Sequence, residues 1–280
     1  MADQPDADGS IVPAILGYYA AGLERDRLFD GRSQLERVRT QELLTRHLPP
    51  PPAVILDVGG GPGVYARWLA TQGYEVHLVD PVLLHVEQAA ADPELGDHPL
   101  ASARVGDARR LEQPAMSADA VLLMGPLYHL TDRADRLQAL REAWRVARPA
   151  GWLFAVGISR FTSLLDGLSA GYLHDPVFAR IVEEDLRDGQ HRNPANHPGY
   201  FTTAFFHHPE ELQAEVRDAG WSIVETVGIE GPGWWMPQQF ADWWDDGTRR
   251  DRLLAAVRAV EREPTLLGLG PHLMVVARNG

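Results

Sequence analysis

Val54-Ile-Leu-Asp57-Val-Gly59-Gly-Gly61-Pro-Gly63 is the stretch on which the fold turns. From Ala53 to Val58 the residues are apolar except for Asp57, the pattern of a strand buried on both faces of a sheet. The glycines then turn the chain into a helix that begins near Val64 and runs through Trp68 and Leu69. Glycine supplies the left-handed conformations such a turn needs. Its missing side chain also lets a ligand approach the backbone at a helix start, where amides point outward. Taken alone the loop is ambiguous, because Gly61-Pro-Gly63-Val-Tyr-Ala66 also satisfies a dinucleotide fingerprint, with Asp80 at the distance of a ribose-binding acid.

Outward from this loop, Glu75 to Val79 reads as a second strand and Val82 to Ala91 as a helix. A weaker third strand covers Ala103 to Val105, and a fourth covers Ala120 to Met124. A helix follows from Asp132 to about Ala147, Pro149-Ala-Gly151 breaks it, and Trp152 to Val156 is the fifth strand. A helix from Pro209 to Ala219, a strand from Ser222 to Val227, helical pattern from Gln238 to Arg262 and a last strand from His272 to Arg278 complete the series. Strands alternating with helices predict an α/β fold with a mostly parallel sheet covered on both faces. Residues 159–206 interrupt the alternation with a helical piece around Val177 to Leu186 and a His/Asn/Pro-rich segment, Gln190 to Tyr200. Their length favours a lid or substrate wall over a plain surface excursion.

At the other end, residues 1–10 read as a disordered tail, and Ile11 to Leu48 as helical until Pro49 to Pro52 stops them. The expected division is a tail and helical cap (1–48), a ligand-binding core (49–158), a lid insertion (159–206) and the rest of the core sheet (207–280). Formal net charge is −13, from 39 acidic and 26 basic residues, and none of the basic ones is lysine. A surface this acidic repels phosphate backbones and argues against a nucleic-acid partner. Without cysteine there is no disulfide, thiolate metal site or thiol nucleophile. Met1 to Ser10 lacks a signal-peptide pattern, and no apolar run approaches the roughly 20 residues of a membrane helix, so a soluble cytoplasmic protein is expected. Nothing in the sequence fixes an oligomeric state.

Four features separate the possible ligands. Asp57, two residues before Gly59, suits a ligand bearing cations and would repel a pyrophosphate. Asp80 ends the second strand, where its oxygens can accept both ribose hydroxyls. Asp107, in Gly106-Asp107-Ala108 after the third strand, can accept from an adenine amino group, although Gly-Asp is also ordinary turn chemistry. Met124-Gly-Pro-Leu-Tyr-His129 follows the fourth strand, at the edge where open α/β sheets bind ligands.

Asp57-x-Gly59-x-Gly61-x-Gly63 with acids after strands two and three resembles the class I (Rossmann-like) S-adenosylmethionine (SAM)-dependent methyltransferases, strongly over about residues 53–158 and by pattern over 209–278. Gly125-Pro-Leu-Tyr-His-Leu130, the Tyr18-Tyr19 helix and the stretch from Gly199-Tyr200-Phe201 to His208-Pro209 resemble a bacterial small-molecule branch. The resemblance implies a seven-stranded sheet whose last strand is antiparallel, with SAM as cofactor and S-adenosylhomocysteine as product. It assigns the methionine part to Asp57, Gly59, Gly61 and Gly63, the ribose to Asp80, and the adenine to Asp107 and the Ala108 backbone. Met124 and Gly125 would line the sulfonium region, and Tyr18 would fold over the cofactor from the N-terminal helix.

Methyl transfer needs the acceptor held in line with the methyl group, and a base where the acceptor carries a proton. His129 lies beside the expected methyl position and is the candidate base, with capping of the helix near Asp132 as the alternative. Tyr128 either lines the same pocket or packs. Tyr19, Phe206, His207, Trp234 and Trp235 are candidate substrate contacts, each set against packing or, for His207, a place at a helix start. The histidines lack a helical pair with a flanking acid, so no metal site is expected. An Asn/Asp-Pro-Pro-Tyr signature of amino-group methylation is absent, which again argues against nucleic acid. The expected activity is metal-independent methylation of a small molecule, such as an aromatic or heteroaromatic natural-product precursor. Two alternatives are an NAD(P)-dependent oxidoreductase, which has no lysine for a Tyr-x-x-x-Lys pair, and a non-catalytic paralogue.

Overall fold

Alternation along single strands builds the two layers of the core. In β1 (Val54–Val58), Leu56 and Val58 face one apolar layer with Leu137, Leu140 and Val216, whereas Ile55 faces the other with Leu43, Leu69 and Leu78. Both faces are covered, so the strand reads as a continuous apolar run rather than an alternating one. The computed structural model describes residues 13–20, 22, 24–91, 96–194, 197, 199–236 and 238–280. The tail expected over residues 1–10 lies outside them.

Helix α1 (Pro13–Ala20) and α2 (Ser33–His47) precede β1; the single helical pattern expected there is divided by an irregular link carrying one 3-10 turn, Arg27–Phe29. After β1 come α3 (Val64–Thr71), β2 (Glu75–Asp80), α4 (Leu83–Ala90), β3 (Ser102–Val105), β4 (Ala118–Leu123), α5 (Pro126–His129) and α6 (Arg133–Val146). Asp132 starts α6 by accepting the Ala134 N–H at 2.7 Å, the usual N-cap bond. Then follow β5 (Ala147–Ser159), α7 (Thr162–Ala170), α8 (Pro176–Asp188), β6 (Gln190–His191), β7 (Ala204–His207), α9 (Pro209–Asp218), β8 (Ser222–Gly228), α10 (Phe240–Asp245), α11 (Gly247–Val260) and β9 (His272–Arg278).

Strands β3, β2, β1, β4 and β5 are parallel neighbours in that order; β9 runs antiparallel along β5, and β8 antiparallel along β9. This is the expected mostly parallel α/β sheet, with nine strands instead of seven. The additions are β6 and β7. Strand β5 pairs with β9 along one edge from Trp152 to Ile158. Its other edge is taken by β4 up to Ala155 and then by β7 at Ile158 and Ser159. Strand β7 therefore sits directly beyond the carboxyl end of β4.

The boundary expected between residues 206 and 207 falls inside β7, whose four residues are all buried. A run this short and apolar has no period by which a sequence reading could assign it. Tertiary partners fix it instead. Arg136 pairs with Glu215 through Nη2–Oε1 at 2.8 Å, stacks on Phe205 at 3.7 Å, and His207 Nε2 meets Glu215 Oε2 at 3.3 Å. Among the described residues, no helix is long and apolar enough to cross a membrane.

Candidate active site

Along the carboxyl edge of the sheet lies a cavity of about 860 Å³, lined from the β3 side to the β9 side by Asp107, Asp80, Gly61, Asp57, Met124, His129 and His272 among others. This is within the range of small-molecule sites, and it opens where the strand order reverses between β1 and β4.

The glycine loop has the geometry its composition requires. Gly59 has φ +68°, and a Cβ there would fall 2.6 Å from Pro126 Cδ; Gly63, with φ +86°, would meet Ala89 Cβ at 2.9 Å. Gly61 also has positive φ, and its missing side chain faces open space, so a ligand can approach the backbone there although its N–H is given to Asp80.

Asp57 is 1 % exposed, and among the described residues its carboxylate has no cationic or side-chain partner, only the Ala66 backbone N–H beside it. Burial, with the Asp80 charge added, raises its carboxyl to about 7. Asp80 is held rigidly: Oδ2 accepts the Gly61 N–H at 2.9 Å, Oδ1 accepts the Val82 N–H at 2.9 Å, and His85 Nδ1 lies 3.1 Å from Oδ1. Asp107 accepts the Arg109 backbone N–H at 2.8 Å and its Nη2–H at 2.6 Å, while Arg109 also reaches Asp135 at 2.8 Å. Burial raises the Asp107 carboxyl, but the Arg109 bonds outweigh it and leave the group below its ordinary value. Ala108, Met124 and Gly125 line the same space.

Over the centre of the cavity, α1 brings Tyr19 Oη to 2.6 Å from His129 Nε2. Tyr128 packs edge-on to His129 at 4.7 Å, and Phe201 approaches the same ring at 5.9 Å. Burial lowers the His129 imidazole to about 4, a fall that the Thr203 backbone and Asp80 offset only in part. The ring is therefore neutral at pH 7. Burial also raises the Tyr19 and Tyr128 phenols, so both remain protonated. Tyr18 stands behind Tyr19 and packs on it and on Phe201, at 5.1 and 5.8 Å.

Several expected substrate contacts are elsewhere. Phe206 stacks on His191 at 4.7 Å, and His207 is buried in the Arg136–Glu215 network; neither lines the cavity. Trp235 donates Nε1–H to Leu269 O at 2.5 Å, and Trp234 lies under the Arg32 guanidinium at 4.6 Å, also away from the cavity wall. Packing accounts for these four residues, because each aromatic or imidazole is spent on a neighbour within the fold. Tyr19 is the expected substrate contact that does reach the cavity.

The far end of the cavity holds a cluster that local sequence gives no sign of. Arg27 grips Glu36 with two bonds, at 2.8 and 3.2 Å, and donates Nε–H to Glu24 at 2.8 Å. Beside them, His272 Nδ1 lies 2.6 Å from Glu230 Oε1, and the His272 backbone N–H reaches Oε2 at 3.2 Å. Burial lowers the His272 imidazole, but Glu230 and Glu36 outweigh that and the opposing Arg27, raising it to about 9. One ligand-type atom from each of Glu36, Glu230 and His272 lies within 4.8 Å of the others. A metal ion there would have to displace the Arg27 guanidinium and the imidazolium. Register makes the cluster: β8 pairs Gly228 with Leu273 on β9, which sets Glu230 beside His272.

Comparison with known proteins agrees with this geometry. Residues 55–151 match the family model described as a methyltransferase domain. A ubiquinone/menaquinone biosynthesis C-methyltransferase of Caulobacter sp. (strain K31) is 31 % identical over 146 residues, 49 % of this chain and 56 % of that protein. A malonyl-[acyl-carrier protein] O-methyltransferase of Methylococcus capsulatus is 31 % identical over 170 residues, 57 % of this chain and 60 % of that protein. The chain thus spans a little over half the length of these relatives. A SAM-dependent methyltransferase structure from Mesorhizobium loti superposes with a TM-score of 0.58 at 18 % identity, covering 87 % of this chain and 99 % of that one, which shows the shared fold. Residues 55–151 thus match a methyltransferase domain, and the fold is the one shared with SAM-dependent methyltransferases.

Proposed function

We propose that the whole chain transfers a methyl group from SAM to a small organic acceptor, without a metal ion, and that an aromatic acceptor of secondary metabolism fits it best. The observation that carries this reading is Asp57: a buried carboxylate with no cationic partner, beside an open glycine loop, calls for a cationic ligand. An unpaired buried charge is costly, and a ligand ammonium removes that cost. A dinucleotide pyrophosphate at the same place would add repulsion, which disfavours the oxidoreductase reading.

SAM supplies an electrophilic methyl group on a sulfonium. The chain's own residues do the rest. Asp57 and the Gly59–Gly61 backbone hold the methionine part, Asp80 the ribose, and Asp107 with Ala108 the adenine. Tyr19, fixed by His129, closes the cavity over the reacting centre, and Tyr128 lines it. Excluding water and fixing the acceptor in line are the main contributions to rate in such a displacement. His129 is too weak a base to strip a proton at neutral pH, so its part is to hold Tyr19 and shape the pocket. Residues 159–206, which contribute Gln190 and Arg192 to the cavity wall, act as its outer side.

Parallel calorimetric titrations with SAM, S-adenosylhomocysteine and NAD⁺ test the reading, followed by transfer of labelled methyl from SAM to a panel of small aromatic acceptors. Binding of the two adenosyl ligands alone, with label appearing in an acceptor, is expected. Binding of NAD⁺ instead sinks it, and SAM binding without any transfer favours a non-catalytic protein. His129→Ala should lower turnover about ten-fold or more while SAM affinity changes little; equal losses in both would make His129 a cofactor contact.

A further inference from the structure

The two flanks of the cavity differ in what they offer a second ligand. On the β5–β9 side both oxygens of Glu36 are engaged by the two Arg27 bonds and both of Glu230 by the side chain and backbone of His272, while Glu24 gives one oxygen to Arg27. What remains is a set of donors. His272 spends Nδ1–H on Glu230, which leaves Nε2–H, and its side chain keeps 15 % exposure on the cavity wall. Tyr65, from the first turn of α3, lines the cavity beside Thr40, which already shares a hydrogen bond with its hydroxyl. Tyr128 adds a phenol. Buried donors need acceptors, so the ligand must bring them.

We propose that the methyl acceptor binds here as an oxyanion, a carboxylate or an ionised phenol or enol, with His272 Nε2–H donating to its oxygen and Glu230 and Glu36 positioning the ring. The assignment rests on the methyl-transfer reading and adds the acceptor's chemical class to it. A neutral apolar ring would leave the His272 Nε2–H and the Tyr128 phenol without an acceptor. Where the oxyanion is itself the nucleophile, one C–O bond forms from its lone pair and one C–S bond breaks toward sulfur. Positive and negative charge cancel, and no proton has to move. That suits a site whose central histidine is neutral.

The groups facing His272 are Glu230, Glu36, Arg27 and, through charge alone, Asp166. The carboxylates hold it as the cation, so acceptor binding should weaken as pH rises through about 9.

The test uses the full chain saturated with S-adenosylhomocysteine and four probes: 4-methoxybenzoate, methyl 4-hydroxybenzoate, methyl 4-methoxybenzoate and benzylamine. The first two separate carboxylate from phenol as the source of the oxyanion; the third can form none, and the fourth is cationic. At least one oxyanion-forming probe should bind about ten-fold tighter than the last two. His272→Gln should remove that preference while S-adenosylhomocysteine affinity stays within about two-fold, which also shows that the variant folds. The preference of wild type for 4-methoxybenzoate, ionised throughout, should fade between about pH 8 and 10, a readout that needs no variant. Equal binding of the neutral or amine probe, no acid binding at all, or an unchanged preference in His272→Gln overturns the proposal. So does stoichiometric Mn²⁺ binding that Glu230→Gln abolishes. Failure of S-adenosylhomocysteine to bind would instead overturn the methyl-transfer reading itself.

Discussion

The cofactor flank and the acceptor flank of one cavity solve the burial of charge in opposite ways. On the cofactor flank, Asp80 is held by backbone N–H groups within two residues of it in sequence or across the glycine loop, and Asp57 is left with no cationic partner. On the acceptor flank, Glu36 and Glu230 are neutralised by Arg27 and His272, side chains brought from α2's approach and from β9. An unpaired buried carboxylate marks a place where the ligand completes the electrostatics. A paired one marks a place where the protein has done so already, and only its leftover donors address a ligand.

The comparison makes a pH signature. Asp57 is raised to about 7 in the fold, so between about pH 4 and 7 the folded chain binds a proton that the unfolded chain has lost, and stability falls as pH rises across that window. His272 is raised to about 9, so its contribution is full below about pH 6.5 and is lost as pH climbs to about 9. Asp57→Asn should abolish the first step alone and raise apo stability at pH 8 by up to about 4 kcal/mol, while weakening SAM about a hundred-fold, or about 3 kcal/mol. Saturating SAM should flatten the same step in wild type. Urea melts of the two proteins at several pH values read this directly; a wild-type step untouched by both the substitution and SAM would place the charge elsewhere.

Gly59→Ala comes next. Left-handed strain and contact with Pro126 together should cost about 3 kcal/mol, and SAM binding should disappear with the displaced loop. A variant as stable as wild type would mean that Pro126 moves aside. Asp80→Ala is a smaller blow: SAM should weaken about ten-fold, roughly 1.4 kcal/mol, since the ribose acceptor goes but Asp57 remains. Unchanged affinity would shift the ribose away from β2. Trp235→Phe should lower stability by about 1 kcal/mol, through the lost bond to Leu269 O, and leave SAM affinity alone. A loss of affinity there would return the tryptophan pair to the cavity.

Read from sequence alone, the cofactor flank was legible because all its parts are local. A strand, a glycine turn and an acid at each of the next two strand ends sit within about 55 residues, and each strand end must lie on the same edge of a parallel sheet. Asp57, Asp80, Asp107, Met124 and His129 reach one cavity for that reason. Strand β7 was illegible because four residues, three of them apolar, carry no period, and Trp234, Trp235, Phe206 and His207 were drawn toward the site by residue type when packing had already used them.

Sequence by itself determined the α/β class, the order of its main strands and the ligand chemistry of the glycine loop, because backbone conformation and strand burial depend on near neighbours. Tertiary structure alone decided the acceptor flank. Arg27 pairs with Glu36 nine residues on and Glu230 with His272 through the antiparallel pairing of β8 with β9, but the two pairs meet only in the tertiary structure. The two pairs lie about 190 residues or more apart in the chain and leave no joint local pattern, since what brings them to one cavity is the closing of the sheet.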